Sequence, residues 1–495
     1  MQLQFEKREL ACLTQAARAV KDQELTQEVR LTEDMPDAGR VLAGWGQVIL
    51  RGKEWQGSHM AAAGGVQAAV LYAPEDGTDP RIVDAWIPFQ VKWDGAQTDR
   101  EGPMRVLPML RFVDGRNLSA RKILIRVGLS CLGEGLCPIR AEVSKAGEIP
   151  DDVQLLRRSY PVRLPREAGE KTFTVEDTLN VPDPVAQILA YTIHPELTET
   201  RVTTDKAVLR GIGRLHVVYR CREGRIRTGN FDIPFSQLAE LEHIYENDAQ
   251  LDVMMAVTGL ELDMEEENLA LKCSMTAQYV ISDRSLVELV EDAYSPRREV
   301  AIHQEELHLP LILDENREQL TVQKACPGVT MDPVDAVFWP GFPKQHRAGE
   351  QVELELPGRF QLLGYDPGGT MQAVTAPWEG KTSLAAHADS RIDGVLDPLG
   401  EVQWVTTGSG MEVRAEAEVR TITGTRWGMP MITALELGPI REENADRPTL
   451  ILCRTGKRCL WEIAKGTGSS VAAIREANAL EDEPEHNRML LIPIQ

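Results

Sequence analysis

The sequence predicts a mainly β chain: three tandem β-sandwich or barrel-like repeats of about 146 residues, followed by a small βααβ domain. Three observations predict it. First, many runs alternate apolar and polar residues, as in Leu269-Ala270-Leu271-Lys272-Cys273-Ser274-Met275. A period of two is the pattern of a half-buried strand. Second, turn signals separate these runs at Glu75-Asp76-Gly77, Arg222-Glu223-Gly224 and Asp366-Pro367-Gly368-Gly369. Third, short motifs recur at one offset and in one order. Ile87-Pro88-Phe89 returns as Ile233-Pro234-Phe235, 146 residues on. Tyr72 is matched by Tyr219 and then by Tyr365.

Taken in order, residues 1–26 form an N-terminal segment in which Glu9 to Asp22 reads as one short helix. Leu10, Leu13, Ala17 and Val20 lie on one side of it. Residues 27–140 are the first repeat, with strands expected at 67–72, 82–87, 106–112 and 123–129. Residues 141–170 are a linker whose segment Tyr160 to Pro165 adds an edge strand to the next repeat. The second repeat spans 171–295, with strands at 215–219, 231–235, 251–257 and 269–280. A second linker covers 296–319. The divergent third repeat spans 320–439 and has Ala376-Pro377-Trp378 where the others have Ile-Pro-Phe. Tyr72, Pro88, Phe89, Tyr219, Pro234, Phe235, Tyr365 and Pro377 are read as structural landmarks, the prolines sitting at strand edges where a missing donor costs least. Trp45, Trp55, Trp86 and Trp93 are read as core or domain-contact residues; a sugar-stacking platform is the alternative.

Residues 440–449 are a polar tether. The unit 450–495 starts with an apolar strand at Leu450-Ile451-Leu452 and turns at Gly456. A helix follows around Leu460, Trp461 and Ile463. Ser469 or Ser470 caps a second helix carrying Val471, Ile474 and Ala477, and Asn478 ends it. Met489 to Pro493 closes the unit. Leu460, Trp461, Ile463 and Ile474 are its expected core.

Composition narrows the function. The formal net charge is −22 over 495 residues, which opposes general nucleic-acid binding. No run of 18 apolar residues exists, so no helical membrane insertion is expected. The opening MQLQFEKREL has charges and no apolar stretch of a secretory signal. The acidic run Glu261 to Glu267 reads as a solvated loop between strands. Eight scattered cysteines form no CxxC pair and read as reduced thiols. No P-loop, dinucleotide fingerprint or GxSxG elbow is present. The expectation is a non-enzymatic protein with no metal and no cofactor.

Two resemblances add to this. The segments LWEIA, SSVAAIREANAL and LLIP of the C-terminal unit resemble the LysM domain, which binds N-acetylglucosamine chains or a protein partner. LysM domains carry Gly-Asp-Thr before Leu-Trp; here Gly456-Lys457-Arg458-Cys459 precedes Leu460-Trp461. The resemblance implies binding by two loops, Gly456, Lys457, Arg458 and Cys459 with Asn478, Ala479 and Leu480. Lys457 and Arg458, with Arg454 and Lys465 nearby, suit an acidic protein better than a neutral sugar. The whole organisation resembles SPOCS-domain spore coat morphogenetic proteins with a C-terminal LysM, of the clostridial SipL-like type. That resemblance implies a scaffold made in the mother-cell cytoplasm and assembled on the forespore surface. Its LysM would contact the coat-basement ATPase (SpoIVA-like), with other coat proteins and peptidoglycan as further partners. The three repeats are then expected to act as a semi-rigid chain of adhesive surfaces. The alternative is a peptidoglycan-binding wall protein or a LysM-anchored wall hydrolase.

Overall fold

A computed structural model describes residues 1–94, 101–265, 268–441 and 448–494. Strands β1 (Gln2–Gln4) and β2 (Glu6–Arg30) open the chain. Then come β3 (Ala38–Gln56), β4 (His59–Pro74), β5 (Arg81–Asp94), β6 (Met104–Ser119) and β7 (Lys122–Lys145). They form two sheets, β3-β4-β5 and β2-β7-β6. Val66, Val70 and Val91 of the first sheet meet Val106, Val113, Ile125 and Val127 of the second in one core. This two-layer sandwich is the expected mainly β architecture.

The order recurs twice. The second repeat has β8 (Gln154–Asn180), β9 (Val185–Cys221), β10 (Ile226–Tyr245), β11 (Gln250–Glu265) and β12 (Asn268–Tyr294), paired as β9-β10 and β8-β12-β11. The third opens with β13 (Val300–Pro327), β14 (Asp332–Pro340), β15 (Lys344–Ala348) and β16 (Gln351–Tyr365). It ends with β17 (Met371–Ala385), β18 (Arg391–Thr407) and β19 (Gly410–Leu437). Here β14, β15 and β17 pair with β16, while β13 and β18 pair with β19. The predicted turns hold: Gly77, Gly224 and Gly369 take φ of 73°, 86° and 79°, the left-handed region that glycine enters without a Cβ penalty.

The landmark motifs gain a physical reason. Pro88 and Pro234 lie on β5 and β10, each pairing on one side, with Gly65 and Ile212 opposite. Phe89 and Phe235 are buried, their rings covering Gly64 and Gly211. A Cβ at Gly64 would lie 2.9 Å from the Phe89 ring, and one at Gly211 2.4 Å from the Phe235 ring. In the third repeat Phe338 and Trp378 cover Gly358 in the same way. The Tyr72 hydroxyl donates to the Pro36 carbonyl at 3.1 Å, tying the motif tyrosine to the start of the sandwich. Trp45, Trp55 and Trp93 are buried, whereas Trp86 is 44% exposed under Arg51.

Several expectations fail. The N-terminal segment is not helical: β2 pairs with β7 from Glu6↔Lys145 to Arg30↔Lys122. Its helical spacing of Leu10, Leu13 and Ala17 loses to a partner strand that satisfies the backbone along its length. The two linkers are not linkers. Most of 141–170 lies in β7 and β8, and 296–319 lies mostly in β13. The polar, Arg- and Glu-rich strands β8 and β13 open the second and third repeats, which start about 20 residues before the expected boundaries. The segment Tyr160 to Pro165 is a strand, as expected, pairing with β12. The acidic run, expected as a loop, is largely strand: Glu261 to Glu265 end β11 and pair with β12; Glu266 and Glu267 lie outside the described residues, as do 442–447 of the expected tether.

Nor are the repeats a chain of separate bodies. Cys12 and Ala141 of the first, Leu164 and Leu289 of the second, and Leu309 and Met431 of the third share one apolar cluster. Trp45 and Leu71, Leu189 and Val218, and Leu363 and Met371 share another. Strand β1 adds to β19, Gln2↔Glu436 to Gln4↔Ala434, so the first strand of the chain joins the last strand of the third repeat. Buried glutamines clasp the backbone of the neighbouring repeat. Gln278 accepts from Val106 N–H at 2.9 Å and donates to Val106 C=O at 2.8 Å. Gln361 does the same to Gly44, at 3.2 and 2.9 Å. Gln278→Ala should therefore strand both polar groups of Val106 and destabilise the protein by about 2–4 kcal/mol. Denaturant unfolding checks this: the midpoint falls while a single transition and its slope are kept.

Candidate functional site

The C-terminal unit has the expected order: β20 (Leu450–Arg454), α1 (Leu460–Thr467), α2 (Val471–Asn478) and β21 (Met489–Pro493). Leu460, Ile463 and Ile474 are fully buried, as expected, together with Leu490 and Ile492. Ser470 is the cap of α2, its hydroxyl accepting from Ala473 N–H at 3.2 Å. Ser469 instead donates to the Pro493 carbonyl.

The two expected binding loops are both braced. Gly456 turns at φ 59°, and its carbonyl accepts from Asn487 N–H at 3.2 Å. Arg458 folds back, donating to the Arg454 carbonyl at 2.9 Å and reaching the Cys453 sulfur at 3.3 Å. Cys459 N–H donates to the Glu462 carboxylate at 3.0 Å, and Leu460 N–H to Glu483 at 2.9 Å, so acidic side chains cap α1. The Cys459 side chain is exposed. Asn478 is occupied by the fold: its amide donates to Ile474 C=O at 2.8 Å and Leu491 C=O at 2.6 Å, and accepts from Leu491 N–H at 2.8 Å. Ala479 takes φ 49° as the cap of α2, and Leu480 N–H donates to Arg475 C=O at 3.0 Å. The first loop is thus tied to residues 485–488 and the second to β21. Lys457 remains exposed at the tip.

Trp461 departs from its expected place. It is half-buried at the edge of the unit, where it meets the end of β12. Its indole N–H donates to Asp292 Oδ2 at 2.8 Å, and Lys465 Nζ reaches the same carboxylate at 2.7 and 2.8 Å. Tyr294 packs edge-on against Trp461 with centroids 4.7 Å apart, and its hydroxyl donates to Ser469 C=O at 2.9 Å. Burial, with Asp292 beside it, pushes the Tyr294 phenol well above its usual range. So Lys465 is spent on docking, and the expected cationic face shrinks to Arg454, Lys457 and Arg458.

A second cluster was missed from the sequence. Asp335 is 1% exposed where all three repeats meet. Trp45 Nε1 of the first repeat donates to its Oδ2 at 2.8 Å. His216 Nε2 of the second lies 2.9 Å from its Oδ1, at an angle poor for a hydrogen bond, so that attraction is chiefly ionic. A register shift in β14 between Pro333 and Asp335 aims the carboxylate inward, and Thr228 of the second repeat donates to Val334 C=O in that shift at 3.0 Å. No motif marks this site; only the isolated Asp within the apolar run Val334 to Trp339 hinted at it.

A related network also joins the three repeats. Arg105 of the first repeat is clamped between Glu134 and Asp252 of the second. Arg420 of the third reaches Asp252 at 3.7 Å and Asp397 at 2.8 Å. Burial alone would raise the Glu134 carboxyl, but Arg105 and Arg18 outweigh it and hold it at about 2.

Residues 184–265 match the family model described as SipL, SPOCS domain. They cover β9, β10 and β11 of the second repeat. No curated protein and no solved structure matches the chain.

Two predictions arise from these sites. Burial pulls the His216 imidazole down, but the attraction of the Asp335 carboxylate, with the hydrogen bond to Asn230, outweighs it and holds it at about 9. The folded value lies above the unfolded value of about 6.5. The resulting stability is fully present below about pH 6.5 and is lost as pH rises through 9. With 21% of the side chain open to solvent, the loss should be about 1–3 kcal/mol. His216→Gln should flatten that limb of a stability–pH curve. Asp292→Ala should release the C-terminal unit by removing the shared acceptor of Trp461 and Lys465. Small-angle scattering should report a larger radius of gyration, with β content unchanged by circular dichroism.

Proposed function

We propose that this chain is a non-enzymatic structural protein of spore-envelope assembly. The observation that carries the reading is the SPOCS-domain match at 184–265, in a repeat whose strand order occurs three times along the chain. In this reading the three-repeat body is a scaffold on the forespore surface, on the mother-cell side. The C-terminal unit, taken as LysM-like, is the dock for a coat-basement ATPase (SpoIVA-like). Other coat proteins contact the body.

The braced loops favour a protein partner over a glycan. Asn478 and Arg458 already spend their polar groups within the unit, leaving little for sugar hydroxyls. Arg454 and Lys457 stand exposed beside them, on a chain whose net charge is −22. A local positive patch on an acidic protein steers an acidic partner and makes binding sensitive to salt.

The test uses the full chain and the double variant Lys457→Glu, Arg458→Glu, against the coat-basement ATPase of the same organism and against peptidoglycan. The expected outcome is ATPase binding that weakens with salt and falls about tenfold or more in the double variant, roughly 1.4 kcal/mol. Peptidoglycan binding without ATPase binding would overturn the reading and favour a wall-associated protein. Removing residues 448–495 should abolish forespore localisation while leaving the β body folded.

A further inference from the structure

A cavity of about 630 Å³ opens where the three repeats meet. Its size falls within the range of small-ligand sites, about 300–1,000 Å³. The first repeat contributes residues around Gln47 and Met109, the second around His194 and Arg214, and the third around Asp335 and Leu399.

One wall is built by a departure from the repeat pattern. In β6 a single extra residue, Arg111, falls between Leu110↔Leu129 and Phe112↔Gly128. In β11 the single extra residue is Thr258, between Val257↔Met275 and Gly259↔Ser274. At the corresponding place in β18, Leu399↔Glu416 is followed by Gln403↔Arg414. Gly400, Glu401 and Val402 therefore oppose Ala415 alone. Gly400 takes φ 61°, and its N–H donates across the gap to Glu196 of the second repeat at 3.4 Å. Enlarged bulges next to a cavity re-aim side chains into it. Glu401 stands exposed at its rim, and Trp404 lies half-buried just beyond.

Behind the rim residue Glu401, the charges lining the cavity are already paired. Arg214 meets Glu196 at 3.0 Å and Asp232 at 2.5 Å. His216 meets Asp335 at 2.9 Å, and Arg420 meets Asp397 at 2.8 Å. A charged group seated behind Glu401 would have to break one of these pairs and strand its partner in a desolvated place. A neutral ligand need not. It can donate to the free lone pairs of the paired carboxylates and use the hydroxyls of Thr192 and Thr200. Phe231 and Trp404, both half-buried, offer apolar faces to C–H groups.

We propose that this cavity binds a neutral polyhydroxylated ligand, a mono- or disaccharide, independently of the C-terminal unit. The test titrates the full chain with N-acetylglucosamine, glucose and maltose, with glucosamine and glucuronate as cationic and anionic probes. Saturation-transfer NMR and calorimetry are the readouts. The expected result is binding of at least one neutral sugar, about tenfold or more tighter than either charged probe. Trp404→Ala and Glu401→Ala should each weaken it several-fold, and the Lys457→Glu, Arg458→Glu variant should leave it unchanged. Glu401→Ala alters only an exposed rim residue, so it decides the matter if Trp404→Ala misfolds. The proposal is overturned if no neutral sugar binds at millimolar concentration, if a charged probe binds as well or better, or if only the loop variant removes binding.

Discussion

The Asp335 carboxylate is the constraint on which the assembly of the three repeats depends. A buried carboxylate without partners is costly, and its cost is offset only by donors and opposite charge. Asp335 belongs to the third repeat, yet its indole donor, Trp45, comes from the first and its cationic neighbour, His216, from the second. It is satisfied only when all three are in place. The same logic holds at Gln278 and Gln361, whose amides are complete only against Val106 and Gly44 of another repeat. Each junction therefore stabilises the whole and destabilises any part taken alone.

This changes the mechanical picture. A string of weakly linked sandwiches would gain avidity by spreading flexible sites along a surface. Here the sites on the body are held at fixed relative positions, because two apolar clusters and the Arg105–Glu134–Asp252–Arg420 network fasten the repeats together. Any avidity must then come from many copies of the molecule, or from one rigid face matched to a regular partner lattice. The buried ion network adds orientation more than stability, since such networks roughly break even against apolar packing while penalising misplaced partners.

Much of the fold was legible because strands and turns leave local marks. The period of two, the turn glycines and the recurring Ile-Pro-Phe all report contacts within one sandwich. What was not legible came from contacts between distant parts. Residues 9–22 carry a helix-like spacing, and only β7, over 90 residues later, makes them part of a strand. The polar stretches at 141–170 and 296–319 look like linkers because their apolar positions are few and spaced to meet neighbouring repeats, as Leu164 and Leu309 do in one shared cluster. Asp335, His216 and Trp45 are separated by more than 100 residues from one another, so no spacing rule could join them. In the C-terminal unit the core was readable from helical spacing, but the role of Trp461 was not. Its partner, Asp292, lies at the end of another repeat's strand.

That last contact bears on how the C-terminal unit presents its free surface. Asp292 accepts from both Trp461 and Lys465, and Tyr294 adds an aromatic contact and a hydrogen bond to Ser469. These contacts lie on one side of α1 and cover the side chains there. The loop tip at Lys457 and the outer face of the β20–β21 pair, where Leu450, Leu452, Met489 and Leu491 are exposed, stay open. In the register Leu452↔Leu491 and Arg454↔Met489, apolar and cationic positions share that outer face. In the proposed reading this apolar strip would supply contact area to a protein partner, and the exposed cations beside it would supply orientation. Docking to β12 fixes where this strip points relative to the three-repeat body. A partner gripping it would then be held at a set angle to the scaffold.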